Sequence, residues 1–235
     1  MKIAVISDLH MGRGDAADRF GHDDRDFLAF LDALEADFER IVLLGDIYET
    51  LTSLKPLAQA QELQAVKRAH PEISERFESA PYHYVHGNHD LIAGDIDSAP
   101  SAFQLDVDGT NILFTHGHHH DWVVNQLRWL SESGVWAGGW LLRMGLSPMI
   151  RMFEYFHTAM AGISSDPEVC SFQRWAIASA HSCNADIVVT GHTHIGIQAE
   201  HGDRLFLNSG SCAKGNYSFL SLDTSAGQYA HHSAW

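Results

Sequence analysis

Five short apolar runs in this chain each end in a polar or glycine-bearing cluster, and that arrangement limits the folds open to it. KIAVIS (residues 2–7) ends at Asp8, and IVLL (41–44) ends at Gly45-Asp46. YHYV (82–85) runs into His86-Gly87-Asn88-His89-Asp90, and NILF (111–114) into Thr115-His116-Gly117-His118. IVV (187–189) runs into Thr190-Gly191-His192-Thr193-His194. Runs of this length, rich in Val, Ile, Leu and aromatics and stopped by turn residues, read as buried strands. Five polar clusters therefore sit just past the C-terminal ends of strands, the edge where open α/β sheets bind ligands.

The clusters share one chemistry. Asp8, His10, Asp46, Asn88, His116, His192 and His194 offer carboxylate, imidazole and carboxamide donors, a set that suits borderline divalent ions such as manganese, iron or zinc. Two such ions a few ångströms apart promote displacement at phosphorus. Any single cluster could be an ordinary turn or surface loop. All five in order at strand ends make coincidence a poor account.

The series D-x-H, G-D, G-N-H-D, H and G-H-x-H resembles the calcineurin-like metallophosphoesterases, and NSGS at 208–211 resembles that family's late N-x-G-S loop. The resemblance covers most of the chain. It implies a four-layer α/β/β/α sandwich with two metal ions. One ion would be held by Asp8, His10, Asp46 and His194, the other by Asp46, Asn88, His116 and His192. Asp46 would bridge them, with a hydroxide between the ions as nucleophile. It implies a non-ligand catalytic role for His89, which would steady charge on phosphate or give a proton to the leaving oxygen. Glu49 matches a position where many relatives pair an acid with that histidine, and a solvated loop carboxylate is the alternative. Asp90 is expected to fix the GNHD turn from behind the ligands.

Length and charge narrow the rest. The 235 residues fit one domain with a substantial core. Three cysteines, an odd and small number, favour a reducing compartment over a disulfide framework. The chain opens on Met1-Lys2 and enters its first strand directly, so no signal peptide is expected and a cytoplasmic location is, with the inner membrane surface as a variant. The net charge of −15, with 15 Lys and Arg that form no cluster, argues against a duplex nucleic acid partner.

Helices are expected over 26–37, with Phe27, Phe30, Leu31 and Leu34 on one face, over 57–70 with Pro71 as its limit, and from the Asp166-Pro167-Glu168 start to about Asn184. Val107-Asp108-Gly109-Thr110 reads as a hairpin turn, and late strands are expected at 204–207 and 217–222.

Residues 122–163 are the most individual stretch, rich in Trp, Met and Phe and expected as a helical insert or cap. Its longest uncharged run, 133–142, is far below the roughly 20 residues of a membrane span. Gly138-Gly139 and Ser147-Pro148 read as turns joining short helices. The stretch reads either as a packed insert or dimer interface, or as a lid with an apolar groove. Its position and character resemble the helical cap of UDP-2,3-diacylglucosamine diphosphatases, although those carry Arg at the place of His89 and Asp at the place of His118. That resemblance implies a nucleotide-linked lipid substrate and peripheral membrane contact; a lid would bring Arg143 or Arg151 to a second phosphate or acidic headgroup, and His118 is a further candidate substrate contact.

The broader expectation is a phosphoesterase acting on a diester, pyrophosphate or monoester of a small molecule or lipid. Its cofactor would be a manganese pair, with iron or zinc as alternatives, and a homo-oligomer is compatible with the sequence. A protein-interaction scaffold on the same fold is the alternative of another class, and the full ligand set discriminates against it. A protein Ser/Thr phosphatase ranks low, because neither GDIYETL nor GNHDLI carries the arginine that such enzymes place there.

Overall fold

Strand β1 (Lys2–Ile6) shows what organises the chain: Ile3 and Val5 point to one apolar layer, Ala4 and Ile6 to another. A strand buried on both faces needs something apolar on each side. The computed structural model of the protein describes residues 1–121, 124, 126–146 and 170–233.

Its further strands are β2 (Arg40–Leu44), β3 (Tyr82–Val85), β4 (Ala102–Val107), β5 (Thr110–Thr115), β6 (Ile187–Thr190), β7 (Gly196–His201), β8 (Arg204–Ser209), β9 (Phe219–Asp223) and β10 (Gln228–His232). The described helices are α1 (Asp24–Asp37), α2 (Gln59–Ala69), α3 (Pro71–Phe77), α4 (Ile92–Ile96), α5 (Arg128–Arg143) and α6 (Ser171–Ser182). The strands form two sheets, ordered β10-β9-β1-β2-β3 and β4-β5-β6-β8-β7. In the first, β1, β2 and β3 run parallel; in the second, β5, β6 and β8 do.

The sheets face each other across Ile3, Val5, Val42, Leu44 and Val85 on one side and Ile112, Phe114, Ile187, Val189 and Leu207 on the other. The outer face of the first sheet, through Ala4, Ile6, Ile41 and Leu43, packs with Phe27, Phe30, Leu31 and Leu34 of α1, Leu63 and Val66 of α2, and Ile73 and Phe77 of α3. The outer face of the second, through Leu113, Val188 and Phe206, packs with Phe172, Ala176 and Ala180 of α6. The result is the expected four-layer α/β/β/α sandwich. Each fully buried Phe of α1 stabilises it by roughly 2–3 kcal/mol.

Several boundaries differ from the sequence expectation for local reasons. Helix α1 begins two residues early because the Asp23 carboxylate accepts from Arg25 N at 2.9 Å as an N-cap. The helix expected over 57–70 is α2, two residues shorter at its start, and it stops before Pro71 as expected. Leu57 has φ +58° and is 92% exposed, so α2 starts after it, and Pro71 opens α3 as a first-turn proline. The turn expected at Gly138-Gly139 is absent, since α5 runs straight through. Gly139 is buried against Thr52, where a Cβ would meet the Thr52 Cβ at 3.0 Å, so the glycine serves close packing instead. The hairpin at Asp108-Gly109 joins β4 to β5. Arg151, the Ser147-Pro148 turn and the helix start at 166–168 lie outside the described residues. Among the described residues, no helix is long and apolar enough to cross a membrane.

Candidate metal centre

Parallel strands of the two sheets end at the same edge, which brings their polar clusters together. Asp8 and His10 follow β1, Asp46 follows β2, Asn88 and His89 follow β3, His116 and His118 follow β5, and His192 and His194 follow β6. Five of these non-glycine residues hold left-handed backbone: Asp8 (φ +53°), His10 (+47°), Asp46 (+52°), His192 (+67°) and His194 (+60°). Such conformations cost on the order of 1 kcal/mol or more each and persist only where the surroundings enforce them.

Here the enforcement is a web of backbone bonds between the loops. Asp8 N donates to Gly45 O (3.0 Å), His10 N to Asp46 O (2.9 Å), Met11 N to Ile47 O (2.9 Å) and Gly191 N to His116 O (3.1 Å). Gly45, at φ +84°, lies where a Cβ would strike the His116 ring at 2.5 Å. Ser7 Oγ donates to Asp8 Oδ2, His192 N donates to the same oxygen at 3.1 Å, and Ser211 Oγ to Asp8 O at 3.0 Å. Asn208 Nδ2 reaches Gly191 O at 2.6 Å, so the NSGS segment ties the first motif to the last.

Asp90 anchors a second crossing. Its buried carboxylate accepts from Ile47 N (2.8 Å), Asp46 N (3.3 Å), Tyr48 N (3.3 Å), Gly87 N (2.5 Å) and Tyr84 Oη (2.6 Å). It thus holds the GNHD turn and the loop of Asp46 together. Burial and the nearby Asp46 raise its pKa.

Among the described residues the carboxylate and imidazole atoms gather in three groups, two made of expected ligands and a third of His10, Glu49 and His89. Those of Asp8, His10 and His194 form the first, with His194 Nε2 3.1 Å from Asp8 Oδ1 and 3.2 Å from His10 Nε2. Those of Asp46, His116 and His192 form the second, with His116 Nε2 3.3 Å from Asp46 Oδ2. Ligand atoms about 2.1 Å from a shared ion lie roughly 3–3.5 Å from one another. Asp8 Oδ1, Asn88 Oδ1 and His116 Nε2 are buried without a hydrogen-bond partner, a costly state for polar atoms that a cation relieves. His116 Nδ1 donates to Leu44 O at 2.8 Å, which leaves the Nε2 lone pair free for an ion. The residues therefore fit a pair of divalent ions.

Glu49 is buried at the side of this cluster. Its Oε2 lies 2.8 Å from His89 Nδ1 and 3.4 Å from His10 Nδ1, and its Oε1 accepts from Leu51 N at 3.1 Å. Burial would raise its pKa, but the charge of His89 and the bonds from His10 and His89 hold it well below the usual carboxylate range. Burial likewise opposes protonation of His89, yet the charges of Glu49 and Asp46 bring it up to about 9. His118, in a short turn at His118–His120, lies with its ring tilted against His119 at 4.1 Å and 5.7 Å from the His116 ring. Burial and the neighbouring His116 and His119 push its pKa down to about 2, so it is a neutral imidazole.

Arg143, at the end of α5, donates from Nε to Asp15 Oδ2 and from Nη2 to Thr52 O, both at 2.8 Å. The link from Glu49 to His10 and the grip of Asp90 on the Asp46 loop were invisible in the sequence, because each depends on how two loops meet. Ser7, directly before Asp8, carried a signal in its position.

Residues 1–196 match the family model described as calcineurin-like phosphoesterase. Over 127 residues the chain is 28% identical to a UDP-2,3-diacylglucosamine hydrolase of Shewanella piezotolerans, covering 50% of this chain and 48% of that protein. The chain thus spans about half the length of the curated relatives it matches. Among solved structures, Vps29 from Entamoeba histolytica complexed with Zn2+ is 17% identical over 100% of this chain and 98% of that one, at a TM-score of 0.48. The phosphoesterase Yfce from E. coli is 17% identical over 100% of both chains, at 0.44.

Proposed function

The chain belongs to the calcineurin-like phosphoesterase family, and we propose that it is a binuclear-metal hydrolase of phosphodiester, pyrophosphate or phosphomonoester bonds. The observation that carries this reading is the set of buried, partnerless acceptors on Asp8, Asn88 and His116 within a complete set of donors at one sheet edge. Asp8, His10, Asp46 and His194 would hold one ion; Asp46, Asn88, His116 and His192 would hold the other. Manganese suits these donors, as do iron and zinc. When bound, such ions polarise phosphoryl oxygens and make hydroxide available near neutral pH.

The remaining work falls to side chains. Glu49 occupies Nδ1 of His89, which would leave Nε2 as the atom that meets developing charge or the leaving oxygen. His118, beside the His116 ring, would contact a phosphoryl or substrate oxygen.

A nucleotide-linked lipid is the substrate reading favoured by one further observation. Helix α5 and the residue after it leave Trp129, Leu130, Trp140 and Met144 exposed, a larger apolar face than a solvated helix carries. The likeness to UDP-2,3-diacylglucosamine hydrolases supports the same reading, which would place the protein at the cytoplasmic surface of a membrane.

The reading is tested with manganese-loaded protein and bis(p-nitrophenyl) phosphate. Wild type should hydrolyse it, and His89→Gln should keep both ions while losing on the order of 10²-fold in turnover. An inert wild type, or loss of an ion in His89→Gln, would show the roles to be wrong.

A further inference from the structure

One side chain joins the insert helix to the loops that carry the metal-binding motifs. Arg143 is only 11% exposed, and its guanidinium lies 5.7 Å from the centre of the Trp140 ring. Asp15, which it pairs with, belongs to the loop that follows His10. Thr52, whose carbonyl it takes, ends the segment that begins at Glu49. One turn earlier on α5, Gly139 rests directly on Thr52.

Segment 49–52 is short, and its polar groups are committed. Glu49 N donates to Met11 O at 2.9 Å, and its carboxylate takes His89 Nδ1 at 2.8 Å. Thr50 N donates to His89 O at 3.2 Å, and Leu51 N donates to Glu49 Oε1 at 3.1 Å. Thr52 comes next, and its carbonyl has a charged donor in Arg143. His89 is thus gripped at ring and backbone by a four-residue segment whose far end is fixed by the insert.

We propose that Arg143 is a positioning residue for His89, acting through Thr52 and Glu49. The proposal rests on the role given to His89 above. Without the guanidinium, the segment loses the charged bond at Thr52 and is left to pivot on the single Glu49 N to Met11 O bond, which lets the Glu49 carboxylate shift and the His89 ring with it. A catalytic group displaced by even 1 Å can cost about 10²-fold in rate. The insert then does more than offer apolar surface: its docking sets the orientation of the catalytic imidazole.

The test is a double-mutant cycle in kcat on bis(p-nitrophenyl) phosphate at saturating manganese, with ion content and melting temperature recorded for each variant. Arg143→Ala should lose on the order of 10-fold with both ions retained, and should lose nothing further in a His89→Gln background. Arg143→Lys, with one nitrogen for two acceptors, should fall between. Added guanidinium should restore part of the activity of Arg143→Ala and none in the double variant. Additive losses, or an unchanged kcat in Arg143→Ala, would overturn the proposal. If His89→Gln alone is fully active, the reading of His89 fails first, which is a separate result. Should Arg143→Ala not fold, the same cycle with Arg143→Lys decides the matter.

Discussion

Removing the Asp90 carboxylate should damage the protein more than its lack of any predicted ligand role suggests. Three of its partners, Ile47 N, Gly87 N and Tyr84 Oη, bond at 2.8 Å or less and lie inside the protein. Hydrogen bonds to a charged acceptor contribute about 1.5–3 kcal/mol each. Asp90→Ala takes the acceptor from all five donors, the three close ones carrying most of the loss, and relief of the buried charge returns part of the cost, so a loss of about 4–5 kcal/mol is expected. For a chain of this size that lowers Tm by roughly 8–20 °C. Asp90→Asn keeps one acceptor oxygen but turns a second donor toward Ile47 N or Gly87 N, and should lose about half as much. The assay is thermal unfolding of metal-free protein by circular dichroism, followed by manganese titration. Both variants should bind manganese more weakly, because Asp90 holds the loops of Asp46 and Asn88 in register. An Asp90→Ala protein that melts within about 3 °C of wild type and binds manganese as tightly would refute this reasoning.

Asp46→Asn should lose metal and activity together, because Asp46 is the one residue assigned to both ions; calorimetric titration with manganese checks it. Replacing Trp136 and Trp140 together by Ala should impair a lipid-linked nucleotide substrate far more than bis(p-nitrophenyl) phosphate, since only the former draws on remote binding energy. Equal losses on both substrates, read from kcat/KM, would assign α5 a structural role alone.

Legibility in the sequence followed the strength of the local apolar pattern. Strands β1, β2, β5 and β6 were readable because their runs are nearly continuous and largely buried, and β3, at a sheet edge, was marked by its aromatics and by the His86-Gly87 stop. Edge strands β7 and β10 were not, because GIQAEH and QYAHH have only one face to satisfy and carry few apolar residues to mark it. The division into two sheets was beyond reach of local pattern, since it depends on which strands pair. Chemistry-bearing positions stood out through residue type at strand ends. Their supports did not: Glu49 reaches His10 only because Met11 and Tyr48 bring their loops side by side. The glycine pair in α5 misled because a helix interior usually avoids glycine, and here close packing on Thr52 outweighs that preference.

Two ions sharing Asp46 would be visible in anomalous diffraction from crystals grown with manganese and without phosphate. Two peaks a few ångströms apart are expected, one beside Asp8, His10 and His194, the other beside Asn88, His116 and His192, with the Asp46 carboxylate touching both. A single peak, peaks elsewhere on the sheet edge, or an Asp46 side chain turned away from either ion would contradict a metal pair sharing Asp46.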